Sequence, residues 1–529
     1  MRDAPDNATP TTHGFASDAK SSEQPLAARA SANTGGGAPM GAGKLTVFTS
    51  EQPATLGKVF SLKSDGTLQK EVAGHMAVGT YEVLEFSTAT DLAALLSSVT
   101  KGQAISASLP LEALPQSGPV VSSKLLAANP GAVTRSKSNF EFRSNTPGIL
   151  TIDYDPQPGD VVLSPEELWS FLQSTIGGLA TAGVVHWLSG SSHIWNGATE
   201  LHGRRGQRFY ILVADAGDVP RACETLAARL WLAGRGRVVL SKSGAKLVRH
   251  LFDDAMKEAA RLDFCAGAVC QPPLEQRRGS PVVLSAGGFL DTRAALPDLT
   301  ASEQARVEGL QQVAKDASES EAARVREAWM GGRGDTLTTR LVGAGVPVAE
   351  AHERGKQAAR SAIGGTLLGD YSIILEDGQE VSVAQLIANI DRYHGAICRD
   401  PLEPDYLGGK ATGKVYLHGA APVIHSFAHG GATYRLRRQP VRIFLKAGRR
   451  AETANEIMEK LTAEDDLFIR GGFLVRLEGG RLLPIKRPSA LSYLVGLRYA
   501  LFKHARDGAA IATDLDDQTA GMLLSALEA

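Results

Sequence analysis

The stretch Gly148-Ile149-Leu150-Thr151-Ile152-Asp153-Tyr154-Asp155 decides how this chain is read. Leu150, Ile152 and Tyr154 alternate with Thr151, Asp153 and Asp155. Successive side chains of a strand point to opposite faces, so this strand has one apolar face and one face carrying two carboxylates. Pro156 and Pro158 end it. Ser164-Pro165-Glu166-Glu167 then supplies an N-cap serine, a proline at the first helical position and a glutamate placed to close a capping box. Leu168, Phe171, Leu172, Ile176 and Leu179 form the apolar stripe of the helix, and Gly183 closes it. Val184-Val185-His186-Trp187-Leu188 is a second strand. The order strand, helix, strand predicts a right-handed βαβ unit with its two strands parallel.

Further along, residues 189–197 give a turn and a short return strand that includes His193. Residues 208–215 are apolar on both faces, as in a central strand, and a helix over 219–232 and a strand over 238–240 follow. If the first strand runs up, 184–188 runs up, 193–197 down and 208–215 up. Asp155, His193 and Asp215 then share one edge of a sheet, with Asp153 one pleat below Asp155. Hard divalent cations prefer oxygen ligands. Two such ions clamp the attacking and leaving oxygens of an in-line phosphoryl transfer. Arg204, Arg205, Arg208, Lys242 and Lys246 supply cations for a triphosphate. Taken singly, the D-x-D is a strand-to-loop junction, His193 a turn histidine and Asp215 a loop acid or helix cap. Only the ordered set carries a functional argument.

Composition bounds the rest. The 529 residues are 43% hydrophobic and 21% charged, an ordinary globular composition that excludes fibrous, collagenous and wholly disordered classes. Lys+Arg is 56 against Asp+Glu 57, so nucleic-acid contact must come from local basic patches. Cys223, Cys265, Cys270 and Cys398 form no CxxC pair, which points to a reducing, cytoplasmic setting. No apolar run is long enough for a membrane span and no secretory signal opens the chain. The expected layout is a disordered tail over 1–44, a catalytic domain over 45–290, a helical region over 291–372, a β-rich module over 373–450 and a helix-rich region over 451–529.

Three short motifs in order give the chain a resemblance. The string at 148–155 looks like the hhhDxD first motif of archaeo-eukaryotic primases, Ser191-Ser192-His193 like their s-x-H motif, and Leu212-Val213-Ala214-Asp215 like their h-D motif. Leu247-Val248-Arg249, Phe252-Asp253 and Arg261-Leu262-Asp263-Phe264 are similar to a segment after the catalytic core of plasmid and phage primases usually fused to a helicase. Asp400-Pro401-Leu402-Glu403-Pro404 and His425-Ser426-Phe427-Ala428-His429-Gly430-Gly431 are similar to the region between primase and helicase there. The resemblance spans roughly 45–500.

It implies an α+β protein with an RRM-like primase catalytic core and helical and small β-rich C-terminal modules. It implies a nucleotidyltransferase, a DNA primase or primase–polymerase of a mobile element that starts replication. Asp153, Asp155 and Asp215 would hold two Mg²⁺ or Mn²⁺ ions, with Asp253 and Asp254 as alternatives for the third acid. His193, Ser191, Arg208 and Lys242 would bind the nucleotide. The implied partners are a single-stranded DNA template, NTPs or dNTPs, and a separate replicative helicase. That last follows because no competent Walker A loop is found: Gly408-Gly409-Lys410-Ala411-Thr412-Gly413-Lys414-Val415 lacks the Ser or Thr that holds Mg²⁺.

Two secondary readings concern the β-rich module. Arg435, Arg437 and Arg442 belong to a basic run that contains no acid, suited to template phosphates or, equally, to a charged edge strand. His394, Cys398, His425 and His429 can be drawn as a zinc set, but with a single cysteine, hydrogen-bonded histidines are the preferred reading. The alternative function is a catalytically inactive primase-like module that binds DNA or recruits a helicase. A nicking initiator ranks lower, since no His-hydrophobic-His pair is present.

Overall fold

The computed structural model describes residues 41–157, 160–419, 421–438, 441–462, 467–478, 481–504 and 510–529. Residues 1–40, which hold most of the expected disordered tail, lie outside the described residues. The protein is α+β, and its chain divides into two compact units. One contains the residues up to Arg237 together with Arg249–Gln312, the other Val238–Val248 and Val313–Ala529.

In the first unit, β1 (Gly43–Gln52) lies between the antiparallel strands Val78–Phe86 and Gln103–Ser106. A hairpin, β2 (Gly57–Leu62) and β3 (Leu68–Ala73), turns at Ser64-Asp65-Gly66. The helix α1 (Ala89–Ser98) starts at a capping box in which Thr88 Oγ1 accepts from the Asp91 amide and the Asp91 carboxylate accepts from the Thr88 amide.

The central sheet holds β4 (Gly148–Tyr154), β5 (Gly183–Leu188), β6 (Gln207–Val213) and β7 (Val282–Ala286) in the spatial order β4-β6-β5-β7. The helix α2 (Pro165–Thr175) joins β4 to β5, and its capping box forms as expected, with Ser164 Oγ accepting from the Glu167 amide at 3.1 Å. β4 and β5 are parallel because each is antiparallel to β6, which lies between them. This is a split βαβ unit. Leu150, Ile152, Tyr154, Phe209 and Ile211 face α2 and the helix α3 (Val219–Leu232) in one core. Ile149, Val185, Trp187, Tyr210 and Leu212 face α1 and β1 in another. Both faces are therefore covered, which explains why β6 reads as apolar on both sides.

One expectation is corrected here. Asn196 and Thr199 pair across a tight hairpin made of Ile194–Asn196 and Thr199–His202. That additional strand reverses the chain before β6, so β6 runs antiparallel to β4, with Gln207 opposite Tyr154 and Val213 opposite Gly148. Asp155 and Asp215 thus follow opposite ends of a seven-residue pairing, about 20 Å apart.

In the second unit, α4 (Glu319–Gly343) packs on α5 (Val348–Ile363). A five-stranded sheet follows, β8 (Thr366–Leu367), β9 (Ile397–Cys398), β10 (Gly413–Tyr416), β11 (Val423–Ser426) and β12 (Ala432–Leu436), ordered β8-β12-β11-β10-β9. A hairpin that turns at Asp377-Gly378 forms between Ser372–Ile374 and Glu380–Ser382. Tyr371, Ile373, Val415, Ile424 and Leu436 fill the core of this module. A third core, which includes Ile443, Ile457, Leu474, Leu494 and Leu523, joins the helices Arg450–Thr462, Pro488–Arg498 and Asp517–Glu528 to strands that include the hairpin Leu467–Arg470 and Phe473–Glu478. No helix among the described residues is long and apolar enough to cross a membrane.

Candidate functional site

Strand parity puts Asp153 on the face of β4 opposite α2, directly across from Arg208 on β6. Arg208 Nη2 lies 3.5 Å from Asp153 Oδ2, and Arg208 Nε lies 2.8 Å from Asp263 Oδ1. Asp263 is almost completely buried and also accepts from the Tyr210 hydroxyl at 2.7 Å. Its backbone is held by mutual hydrogen bonds with Ile105. Arg278 closes the row: its guanidinium lies 3.8 Å over the Trp187 ring and donates to the Leu188 and Cys265 carbonyls.

Burial pushes the Asp153 carboxyl up to about 6, Asp263, Asp155 and Asp253 add to the push, and Arg208 opposes it. Burial would lower the Arg208 guanidinium, but Asp153 and Asp263 outweigh it and hold it charged. Asp153 therefore sits among more negative charge than one arginine neutralises, a setting that favours an added cation. Asp253 is a near neighbour, because its amide donates to the Asp153 carbonyl at 2.8 Å. Asp254 instead pairs with His250 at 2.8 Å.

Asp155, exposed at the end of β4, opens into a cleft of about 210 Å³ lined by Lys70, Asp155, Pro156, Gln157, Ser191, His202 and Arg205. Lys58 Nζ donates to Ser191 Oγ at 2.9 Å beside this cleft. Burial pushes the Lys58 ammonium down to about 8, helped by Lys70 and Arg208 and opposed by Asp155 and Asp153. His202 Nδ1 is 2.5 Å from the Ser191 carbonyl, while Arg205 Nε donates to His202 Nε2 at 3.0 Å. The second contact makes Nε2 an acceptor, so Nδ1 carries the proton and the ring is neutral. Burial lowers the His202 pKa in the same sense.

The expected residues divide as follows. Asp153, Asp155 and Ser191 come together on the first unit. His193 has a left-handed backbone, φ 55°, and its Nδ1 lies 2.6 Å from Glu200 Oε1 within the hairpin, while His202 lines the cleft instead. Arg208 is in the buried ion pairs rather than on the cleft wall. Lys242 belongs to the second unit and pairs with Asp405. Asp215 does not join Asp153: its Oδ1 accepts from the Gly217 amide at 2.9 Å and the Asn145 amide at 2.8 Å, so it is a turn cap at the other end of the sheet. Arg435 and Arg437 are exposed along one face of β12, which is an interior strand and not an edge. The side chain of Arg442 lies outside the described residues.

The zinc set does not converge. Cys398 is buried on the core side of its sheet, His425 lies on the open side, and His429 Nε2 pairs with Glu403 Oε2 at 2.9 Å. Among the described residues no group of three or more His, Cys, Asp or Glu side chains is arranged to hold a metal ion. For Mg²⁺ the donor chemistry still fits at Asp153 and Asp155. That ion is commonly held by one or two carboxylates, with waters and substrate phosphates completing its shell.

Sequence reading missed Lys58, Lys70, His202 and Asp263 as site residues. Lys58 alone gave a partial signal: it shares a strand face with the fully buried Phe60, so it is a cation on an apolar face, although nothing local ties that strand to β4. Asp263 gave none, because its partner Tyr210 lies 53 positions away. No protein-family model, no curated protein and no solved structure matches this chain.

Proposed function

We propose that the chain is a DNA primase or primase–polymerase, a template-directed nucleotidyltransferase with an RRM-like core built on the split βαβ unit. The observation that carries this reading is the cleft where Asp155, one pleat from Asp153, faces Lys70, Arg205, Ser191 and His202. Paired carboxylates suit a divalent cation, and the cations opposite suit a triphosphate. Mg²⁺ or Mn²⁺ held by Asp153 and Asp155 would neutralise charge on the phosphates during attack of a 3′-hydroxyl on an α-phosphate with loss of pyrophosphate. Lys70 and Arg205 bind the phosphate oxygens. Lys58 orients Ser191 through its hydrogen bond, and neutral His202 fixes the loop through the Ser191 carbonyl. Arg208 keeps Asp153 ionised and aligned with β6.

Asp215 has no part in this scheme; the further acids beside Asp153 are Asp263, which shares Arg208 with it, and Asp253. The test is incorporation of labelled NTPs and dNTPs on single-stranded DNA, with and without primer, by wild type and Asp153→Ala/Asp155→Ala. Template-dependent product from wild type alone supports the proposal. Absence of product from wild type in both Mg²⁺ and Mn²⁺ would overturn it.

A second reading, an inactive primase-like module, is favoured by the Arg208–Asp153 ion pair, which already partly neutralises the acid, and by the fourth strand, which flanks β5 rather than β4. Retained DNA binding without incorporation supports that reading.

A further inference from the structure

The sheet β8-β12-β11-β10-β9 is buried on one side only. Val415, Leu417, Ile424, Ser426, Tyr434 and Leu436 point into its core. The register sets the open positions in two rows. Lys414 faces His425, which faces Thr433; Tyr416 faces Val423, which faces Arg435. Arg437 continues the β12 face and is exposed. Phe427 follows β11, is 64% exposed, and packs its ring edge-on to His425 at 4.7 Å between centroids. Lys414 Nζ lies 5.6 Å over the Tyr416 ring.

None of the five strands contains an Asp or a Glu. Arg435 and Arg437 have no ion-pair partner among the described residues. A half-open sheet normally carries mixed polar residues on its wet face. Here the wet face sets rings and cations beside small uncharged residues such as Val423 and Thr433, with no acid among them. Aromatic faces that are open to solvent accept unstacked bases, and adjacent cations accept phosphates. A duplex keeps its bases stacked and offers those rings nothing.

We propose that this face is a platform for single-stranded DNA, on which Tyr416 and Phe427 stack bases and Lys414, Arg435 and Arg437 hold the phosphate backbone. The choice of DNA rests on the reading of the chain as a template-directed enzyme; the rings and charges themselves do not.

The test is fluorescence anisotropy of a labelled 20-nucleotide single strand and a duplex of equal length, with the full chain and without nucleotides or divalent metal. Wild type is expected to bind the single strand at least tenfold more tightly than the duplex. Tyr416→Leu/Phe427→Leu keeps apolar bulk while removing the π faces, and is expected to weaken single-strand binding about tenfold or more with an unchanged salt slope. Arg435→Ser/Arg437→Ser is expected to lower the slope of log K against log salt by about 1.4, at roughly 0.7 per phosphate contact. Single-strand binding within twofold of wild type in both variants, or equal binding of duplex, would overturn the proposal. Asp215→Asn, a change at a turn cap that is not part of this face, is expected to bind as wild type does. Binding through this face by a chain that incorporates no nucleotide supports the platform and removes the enzyme reading. Incorporation by a chain whose binding ignores this face removes the platform alone.

Discussion

The two charged regions solve opposite electrostatic problems. Around Asp153, acids and bases are packed out of water in pairs: Arg208 lies between Asp153 and Asp263, and Tyr210 donates to Asp263. On the sheet face of β10 to β12, cations stand in solvent without acids between them. Charges in a low-dielectric setting set protonation states and geometry, whereas exposed charges act through long-range attraction that salt screens. The first arrangement suits chemistry at a fixed atom, and the second suits holding a flexible polyanion.

That contrast puts the largest effect at the acid at the centre of the buried row. Asp153→Asn is expected to lower nucleotide incorporation by about 10³-fold or more, roughly 4 kcal/mol of barrier. Asp215→Asn is expected to leave turnover within about twofold. Steady-state incorporation assays on the two variants check this, and equal losses would break the distinction between the two ends of the sheet. The same carboxyl sets a pH window. Its folded pKa is raised to about 6, so below that pH it binds a proton and opposes metal binding, and turnover should rise as pH passes upward through about 6.

Next comes stability. Asp263→Asn leaves Arg208 buried with a single acid, and breaking a buried pair costs roughly 3–5 kcal/mol. A denaturant melt should show the midpoint falling with m unchanged. The second unit offers a milder counterpart: the buried Ser426 hydroxyl donates to Asp400 at 2.6 Å, and Asp400 also accepts from the Leu402 and Glu403 amides. Ser426→Ala removes one of these bonds and is expected to cost about 1–2 kcal/mol in the same melt. This network accounts physically for the paired strings at 400–404 and 425–431, since they meet across the β9–β11 region as one hydrogen-bonded unit.

Much of this was legible in the chain, and the failures have physical causes. The capping box at Ser164, the α2 stripe and the parallel relation of β4 and β5 follow from local patterns that packing did not override. The strand at Thr199–His202 was not legible, because Thr199 and Glu200 are exposed and give no apolar alternation. Missing it inverted β6 and moved Asp215 to the wrong edge. His202, the ring that lines the cleft, lies on that same unread strand. Asp263 and the lysines come from segments distant in sequence, joined to the sheet only by tertiary packing.

The smallest predicted effect separates the two regions by titration. Lys58 is held down to about 8 by burial, with Lys70 and Arg208 contributing. A lowered lysine is charged below that pH and neutral above it, so its hydrogen bond to Ser191 and its attraction for phosphate weaken as pH rises past 8. The KM for nucleotide should therefore climb several-fold between about pH 7 and pH 9, with kcat changing less. Lys58→Met should show the high KM at every pH and no such climb. Single-stranded DNA binding in the same interval should stay flat, because Lys58 is not part of the face formed by β10 to β12. A climb in KM that survives in Lys58→Met would assign the titration to another group and detach Lys58 from the nucleotide site.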